Sequence, residues 1–173
     1  MAMATIVPDQ DTIVVEMFIA APPQRVFEAI SDPKQMSQWW GQRGNYRISS
    51  GHTDVRPGGK WFSAGVGADG SPFRVEGEYL EVDPPRLLVH TWEPSYEPSL
   101  KKTVVRWELE PRGVHGLHQA GVHKAGTGTN VTIRHSGFGG NAKSAEAHKE
   151  GWKRVLGWMQ AFVEKGETVD TRS

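Results

Sequence analysis

Two histidines sit where a side chain could move a proton. His90 lies in LLVHTWE (Leu87–Glu93) on a face shared with Leu88 and Trp92, and His135 lies in NVTIRHS (Asn130–Ser136) on a face shared with Val131 and Ile133. An imidazole titrates near neutral pH and can act as acid or base. No partner for either ring is evident in the sequence. The preferred reading is a buried neutral imidazole satisfied by a hydroxyl or a carbonyl, so neither is assigned as catalytic. Glu76 and Glu78 alternate with the apolar residues of their segment, which turns them toward solvent, and an irregularity near Gly77 could turn one inward. His115, His118 and His123 fall in GVHGLHQAGVHKAGTG (113–128), where three neutral imidazoles could hold a divalent cation. That segment contains no carboxylate and is rich in glycine, so no metal is expected. A mobile or partner-contacting hairpin tip is the preferred reading of it.

The aromatic residues suggest a different chemistry. The chain has seven tryptophans. Trp39 and Trp40 are adjacent, Trp61 follows the turn RPGGKWF, Trp92 and Trp107 alternate with polar residues, and Trp152 stands in the last apolar stripe. Tryptophan offers a large apolar body and one N–H donor. Converging from several elements, these residues make either a solid core or the wall of a pocket for an apolar or aromatic molecule. After Pro57–Gly59 the chain alternates, so only one of Trp61 and Phe62 can face the interior. Trp61 is expected to line it and Phe62 to cover the outer surface.

Other classes of function find little support. The chain has no cysteine, which excludes disulfides, thiolate metal sites and a cysteine nucleophile. No nucleophile elbow, phosphate loop or zinc-protease motif is present, and no cofactor is expected. Lys plus Arg (20) equals Asp plus Glu (20), so the basic footprint of a nucleic-acid or anionic-membrane binder is missing. The start MAMATIVPDQD lacks the basic and apolar runs of a secretory signal. No stretch approaches the eighteen or so apolar residues of a membrane span. A cytoplasmic protein is expected. Near-neutral charge eases formation of a homodimer without predicting one.

These residues need elements to hold them. Thr12–Ala20 alternates as a strand, with Ile13, Val15, Met17 and Ile19 on one face. A short helix follows, with Pro22 and Pro23 in its first turn and Val26, Phe27 and Ile30 as its stripe. A second starts with Asp32 as cap and Pro33 at its first position, carries Met36, Trp39 and Trp40, and ends at Gly41. About six strands are expected next: a weak one at HTDVR (52–56), then KWFSAGV, FRVEGEYLEV, LLVHTWE, TVVRWELE and NVTIRHS. In FRVEGEYLEV the apolar phase passes from Phe73 and Val75 to Leu80 and Val82, which suggests a bulge near Gly77. From about Asn141 to Lys165, His148, Trp152, Val155, Leu156, Met159, Phe162 and Val163 recur at helical steps, and Gly166 stops the helix.

This order makes an α+β fold: an antiparallel β-sheet, two short helices after the first strand, and a long C-terminal α-helix that buries its apolar face on the sheet. The runs APPQRVFEAISDPKQMSQWWG, RPGGKWF, GEYLEVDPPRLLVHTWE, TVVRWELEP and HKEGWKRVLGWMQAFV, with His135-Ser136-Gly137-Phe138 before the last helix, resemble the family of activator of heat-shock-chaperone (Hsp90) ATPase homologues. That family is part of the START-like (helix-grip, SRPBCC) superfamily of polyketide cyclase-type and lipid-transfer-type domains. The resemblance runs from about Thr12 to Lys165. It implies a single START-like domain over 12–166, flanked by an N-terminal extension (1–11) and a flexible tail (167–173), with 113–128 as an extended hairpin loop. It also implies a curved antiparallel β-sheet wrapped around the C-terminal helix with a hydrophobic cavity between them, with Trp39, Trp40, Trp61, Trp92, Trp107, His90, His135 and Trp152 as candidate lining residues.

Three functions are compatible with this picture. The first is a non-enzymatic module that binds an apolar or aromatic small molecule. The second is a chaperone-associated protein that activates an ATPase through its surface. The third is a polyketide cyclase-type enzyme in which His90 moves a proton. The first is preferred, because a shared fold is weak warrant for a shared activity.

Overall fold

The computed structural model describes residues 2–6, 11–113 and 128–172. The expectation of an extended loop with three histidines falls on residues outside this set. The fold is α+β. Eight strands form one antiparallel sheet: β1 (Met3–Ile6), β2 (Thr12–Ile19), β3 (Tyr46–Thr53), β4 (Lys60–Gly67), β5 (Pro72–Asp83), β6 (Leu87–Pro94), β7 (Thr103–Arg112) and β8 (Gly128–Ser136). Their spatial order is β1-β2-β8-β7-β6-β5-β4-β3. The helices are α1 (Pro23–Ser31), α2 (Pro33–Trp39) and α3 (Ala142–Lys165).

Each element follows from its residues. In β2, Ile13, Val15, Met17 and Ile19 are buried while Glu16 and Phe18 face out, the period of two that a half-buried strand requires. α2 begins where the Asp32 carboxylate accepts the Lys34 N–H at 2.9 Å and Pro33 occupies a position with no N–H to satisfy. α3 begins where the Asn141 side chain accepts the Ser144 N–H, and it ends at Gly166 in the left-handed region. Its buried face carries His148, Trp152, Val155, Leu156, Met159 and Phe162.

Four expectations need correction. The N-terminal extension contains β1, which pairs with β2 from Met3↔Glu16 to Ile6↔Ile13. β3 lies at Tyr46–Thr53, upstream of the weak HTDVR signal. The bulge falls between Tyr79 and Glu81, not at Gly77. Leu80 is the extra residue and is 43% exposed, while Tyr79 turns inward. Finally, the tail is docked. Val169 is buried, its N–H donates to the Gln38 carbonyl at 2.8 Å, and Arg172 reaches the carbonyls of Trp39 and Gly41.

The placement of α3 leaves room inside. Its backbone approaches β1 and β2 closely. Toward the other end of the sheet it stands away, and it meets β6 and β7 through the long side chain of Trp152. The sheet and helix are packed solid on one side and parted on the other.

Candidate ligand-binding site

The parted side encloses a cavity of about 540 Å³. Its floor comes from the inward residues of β4 to β7: Trp61, Ser63, Val75, Tyr79, Leu88, His90, Trp92 and Trp107. Its roof is α3, through His148, Gly151, Trp152 and Val155, and one end is closed by Ile30, Met36 and Trp40 from the short helices. Tyr46, Tyr96, Glu97 and Arg154 also border it. Tyr96 and Arg154 are exposed, which marks where the cavity meets solvent.

Of the eight candidate residues, six border this space: Trp40, Trp61, Trp92, Trp107, His90 and Trp152. Trp39 and His135 do not. Trp39 is fully buried behind Trp40, stacked on it at 5.0 Å, and its Nε1–H donates to the Ala29 carbonyl at 3.0 Å. His135 is fully buried beneath Trp152. The expectation that these two line the cavity is corrected, because both are sealed by their neighbours.

The tryptophans form a connected wall. Trp152 lies edge-on to Trp107 at 5.5 Å and near Trp92 at 5.1 Å and Trp40 at 6.0 Å. Trp61 continues the wall past Trp92 at 5.9 Å. These spacings are those of aromatic pairs in contact, and the Trp152–Trp107 and Trp152–Trp40 pairs take the edge-on arrangement that ring quadrupoles favour. Trp61 can lie over β5 because it is paired with Gly77. A Cβ there would stand 2.2 Å from the Thr91 carbonyl oxygen and 2.7 Å from Trp61 Nε1. Phe62 faces outward, under the Arg74 guanidinium at 3.9 Å.

Some polar atoms of the wall are satisfied within the protein, whereas Trp61 Nε1, Trp92 Nε1 and His148 Nε2 are buried with no hydrogen-bond partner among the described residues. Trp107 Nε1–H donates to His90 Nε2 at 3.0 Å, so His90 carries its proton on Nδ1 and donates it to the Thr91 carbonyl at 2.9 Å. Burial pushes the His90 pKa down to about 4. The ring is neutral, with both nitrogens engaged. Burial likewise lowers His135 well below the ordinary range, helped by His148 and His90, and burial lowers His148. Tyr46 accepts the Trp40 Nε1–H at 3.0 Å.

Glu76 and Glu78 stand on the outer face. They pair with Arg74 and Lys60, each at 2.7 Å. Among the described residues no three His, Asp or Glu side chains converge as a metal site. The cavity is thus a largely apolar, aromatic enclosure.

Several lining residues escape a reading of the sequence. Tyr79 is misplaced by one residue when the bulge is put at Gly77. Tyr46 precedes the weak strand signal. His148 is legible as part of the α3 stripe, but nothing in that pattern separates a residue over the cavity from one over the solid half.

Comparison with known proteins agrees with this architecture. A protein from Rhodobacter sphaeroides superposes with a TM-score of 0.74 at 18% identity, covering 93% of this chain and 97% of that one. One from Nitrosomonas europaea gives 0.70 at 21%, covering 90% and 96%. The AHSA1 protein from Silicibacter pomeroyi gives 0.67 at 22%, covering 90% and 99%. At these identities the likeness concerns the fold. No curated protein matches the chain in sequence. Residues 20–164 match the family model described as Activator of Hsp90 ATPase homolog 1-like protein, and the chain, with its helix-grip fold, belongs to that family.

Proposed function

We propose that this protein is a binding module for a hydrophobic or aromatic small molecule, held between the sheet and α3. The observation that carries this reading is the cavity of about 540 Å³ walled by Trp40, Trp61, Trp92, Trp107 and Trp152. Ligand pockets commonly span roughly 300–1,000 Å³ and are mainly apolar. Burying about 300 Å² of apolar ligand surface would contribute roughly 7 kcal/mol before the costs of association. No catalytic group is needed for that. The hydrogen bonds at both His90 nitrogens favour binding over a cyclase-type reaction at this residue, because neither nitrogen is free to take a proton.

The experiment is native mass spectrometry with thermal shift, using the full chain against fatty acids and aromatic polyketides. A retained one-to-one complex and a raised melting temperature are expected. Absence of both across the panel overturns the reading.

A further inference from the structure

The mouth of the cavity carries two donors with no acceptor among the described residues. Arg154 borders the cavity from α3, and among the described residues it makes no ion pair or hydrogen bond. Tyr46 borders it from the start of β3. Its oxygen already accepts the Trp40 Nε1–H, so its remaining role is to donate, and no acceptor for that proton is found among the described residues. Tyr46 packs edge-on against Trp158 at 5.6 Å, one turn along α3 from Arg154, which brings the two groups to one end of the cavity. The carboxylate bordering the same space, Glu97, makes no ion pair with Arg154. Its charge acts on Tyr96 and His148.

An apolar chamber that ends in an unpaired guanidinium and a free phenolic donor calls for a ligand with matching ends. We propose that the ligand is an amphipathic carboxylic acid, its apolar or aromatic body against the tryptophan wall and its carboxylate held at the mouth by Arg154 and the Tyr46 hydroxyl. The planar guanidinium presents paired N–H groups that match a carboxylate, which a neutral ester cannot exploit. This inference rests on the binding function proposed above and adds the chemical class of the ligand.

The test compares dodecanoate with methyl dodecanoate, and 2-naphthoate with its methyl ester, by tryptophan fluorescence titration at pH 7.5. Each acid is expected to bind about tenfold more tightly than its ester, the scale of a hydrogen bond to a charged group. Arg154→Gln should erase that preference while leaving ester binding unchanged. Tyr46→Phe should reduce it in part, and Glu97→Gln should increase it. Equal binding of acid and ester by the native chain overturns this proposal and leaves the cavity reading standing. Failure of every acid and every ester to bind overturns both. A preference that survives Arg154→Gln overturns the assignment of Arg154.

Discussion

Trp152 on α3 donates its indole N–H to His135 Nδ1 on β8 at 2.9 Å. The bond fixes the imidazole, because Nδ1 must be bare and Nε2 must carry the proton. Nε2 then donates to Thr103 Oγ1 at 2.7 Å, and Thr103 donates to the Trp92 carbonyl at 3.2 Å. His90 is held in the opposite tautomer by Trp107. Two histidines that look catalytic in the sequence therefore act as acceptors that hold the tryptophans of the cavity wall. His135→Phe is expected to lower stability by about 1–3 kcal/mol, since it strands a buried indole N–H and removes the donor that the Thr103 hydroxyl accepts from. His135→Gln keeps an acceptor and should cost less. Urea unfolding of the two variants measures the difference, and equal losses would contradict this role.

The same histidines predict an acid limit. His90, His135 and His148 all titrate below the ordinary histidine value in the folded state, and His90 does so at about 4. Below about pH 6.5 the unfolded chain takes up protons that the folded chain refuses, so stability falls as pH falls. Each such histidine adds a slope of about 1.4 kcal/mol per pH unit until its folded pKa is reached. For His90 alone the loss between pH 6.5 and 4 is on the order of 3 kcal/mol. Above about pH 7 the three contribute no slope. Urea midpoints at pH 7.5, 6.5 and 5.5 should fall slightly over the first step and about three times as far over the second. A constant midpoint down to pH 5 would contradict the burial of these rings.

What the sequence reveals and what it hides divide on physical grounds. Strands and helices with one buried face announce themselves by period, and β2, β7 and α3 are legible for that reason. The pairing of Trp61 with Gly77 and the bulge at Leu80 are not, because a strand pattern containing one extra residue reads equally well with the slip at either place. β1 is short and only half-buried, so its period is faint. The cavity itself has no signature. Trp39 and Trp40 are neighbours of the same type, yet one is sealed behind the other. Lining and packing residues share one composition, and only the stand-off of α3 separates them.

The C-terminal segment gives a third prediction. Its polar composition hides an anchor. Val169 inserts beside α2, and the Arg172 guanidinium ties the carbonyls of Trp39 and Gly41, which close that helix. Arg47 and Asp170 add an exposed ion pair at 2.7 Å. Val169→Ala should cost about 1–2 kcal/mol as a small cavity forms. Arg172→Ala should cost about 1–3 kcal/mol by freeing buried carbonyls. Asp170→Asn should cost less than about 1 kcal/mol, because an exposed pair is worth little. Thermal unfolding checks the order, and three silent substitutions would mean that the tail is not anchored.

A pair of enlargements distinguishes a hollow interior from a filled one. Ser63 on β4 and Val131 on β8 both face inward, and both are buried. Ser63 borders the cavity; Val131 lies in the packed core and does not border it. A larger side chain in a filled core forces its neighbours apart and costs about 1–3 kcal/mol. The same enlargement beside empty space finds room and gains apolar burial, at roughly 25 cal/mol per Å². Val131→Phe should therefore lower the melting temperature, while Ser63→Phe should hold or raise it. Ser63→Phe should also weaken binding of any apolar ligand, because the phenyl ring occupies the volume that the ligand needs. If both variants are destabilised alike, the interior is packed throughout, and the tryptophans are core residues with nothing to enclose.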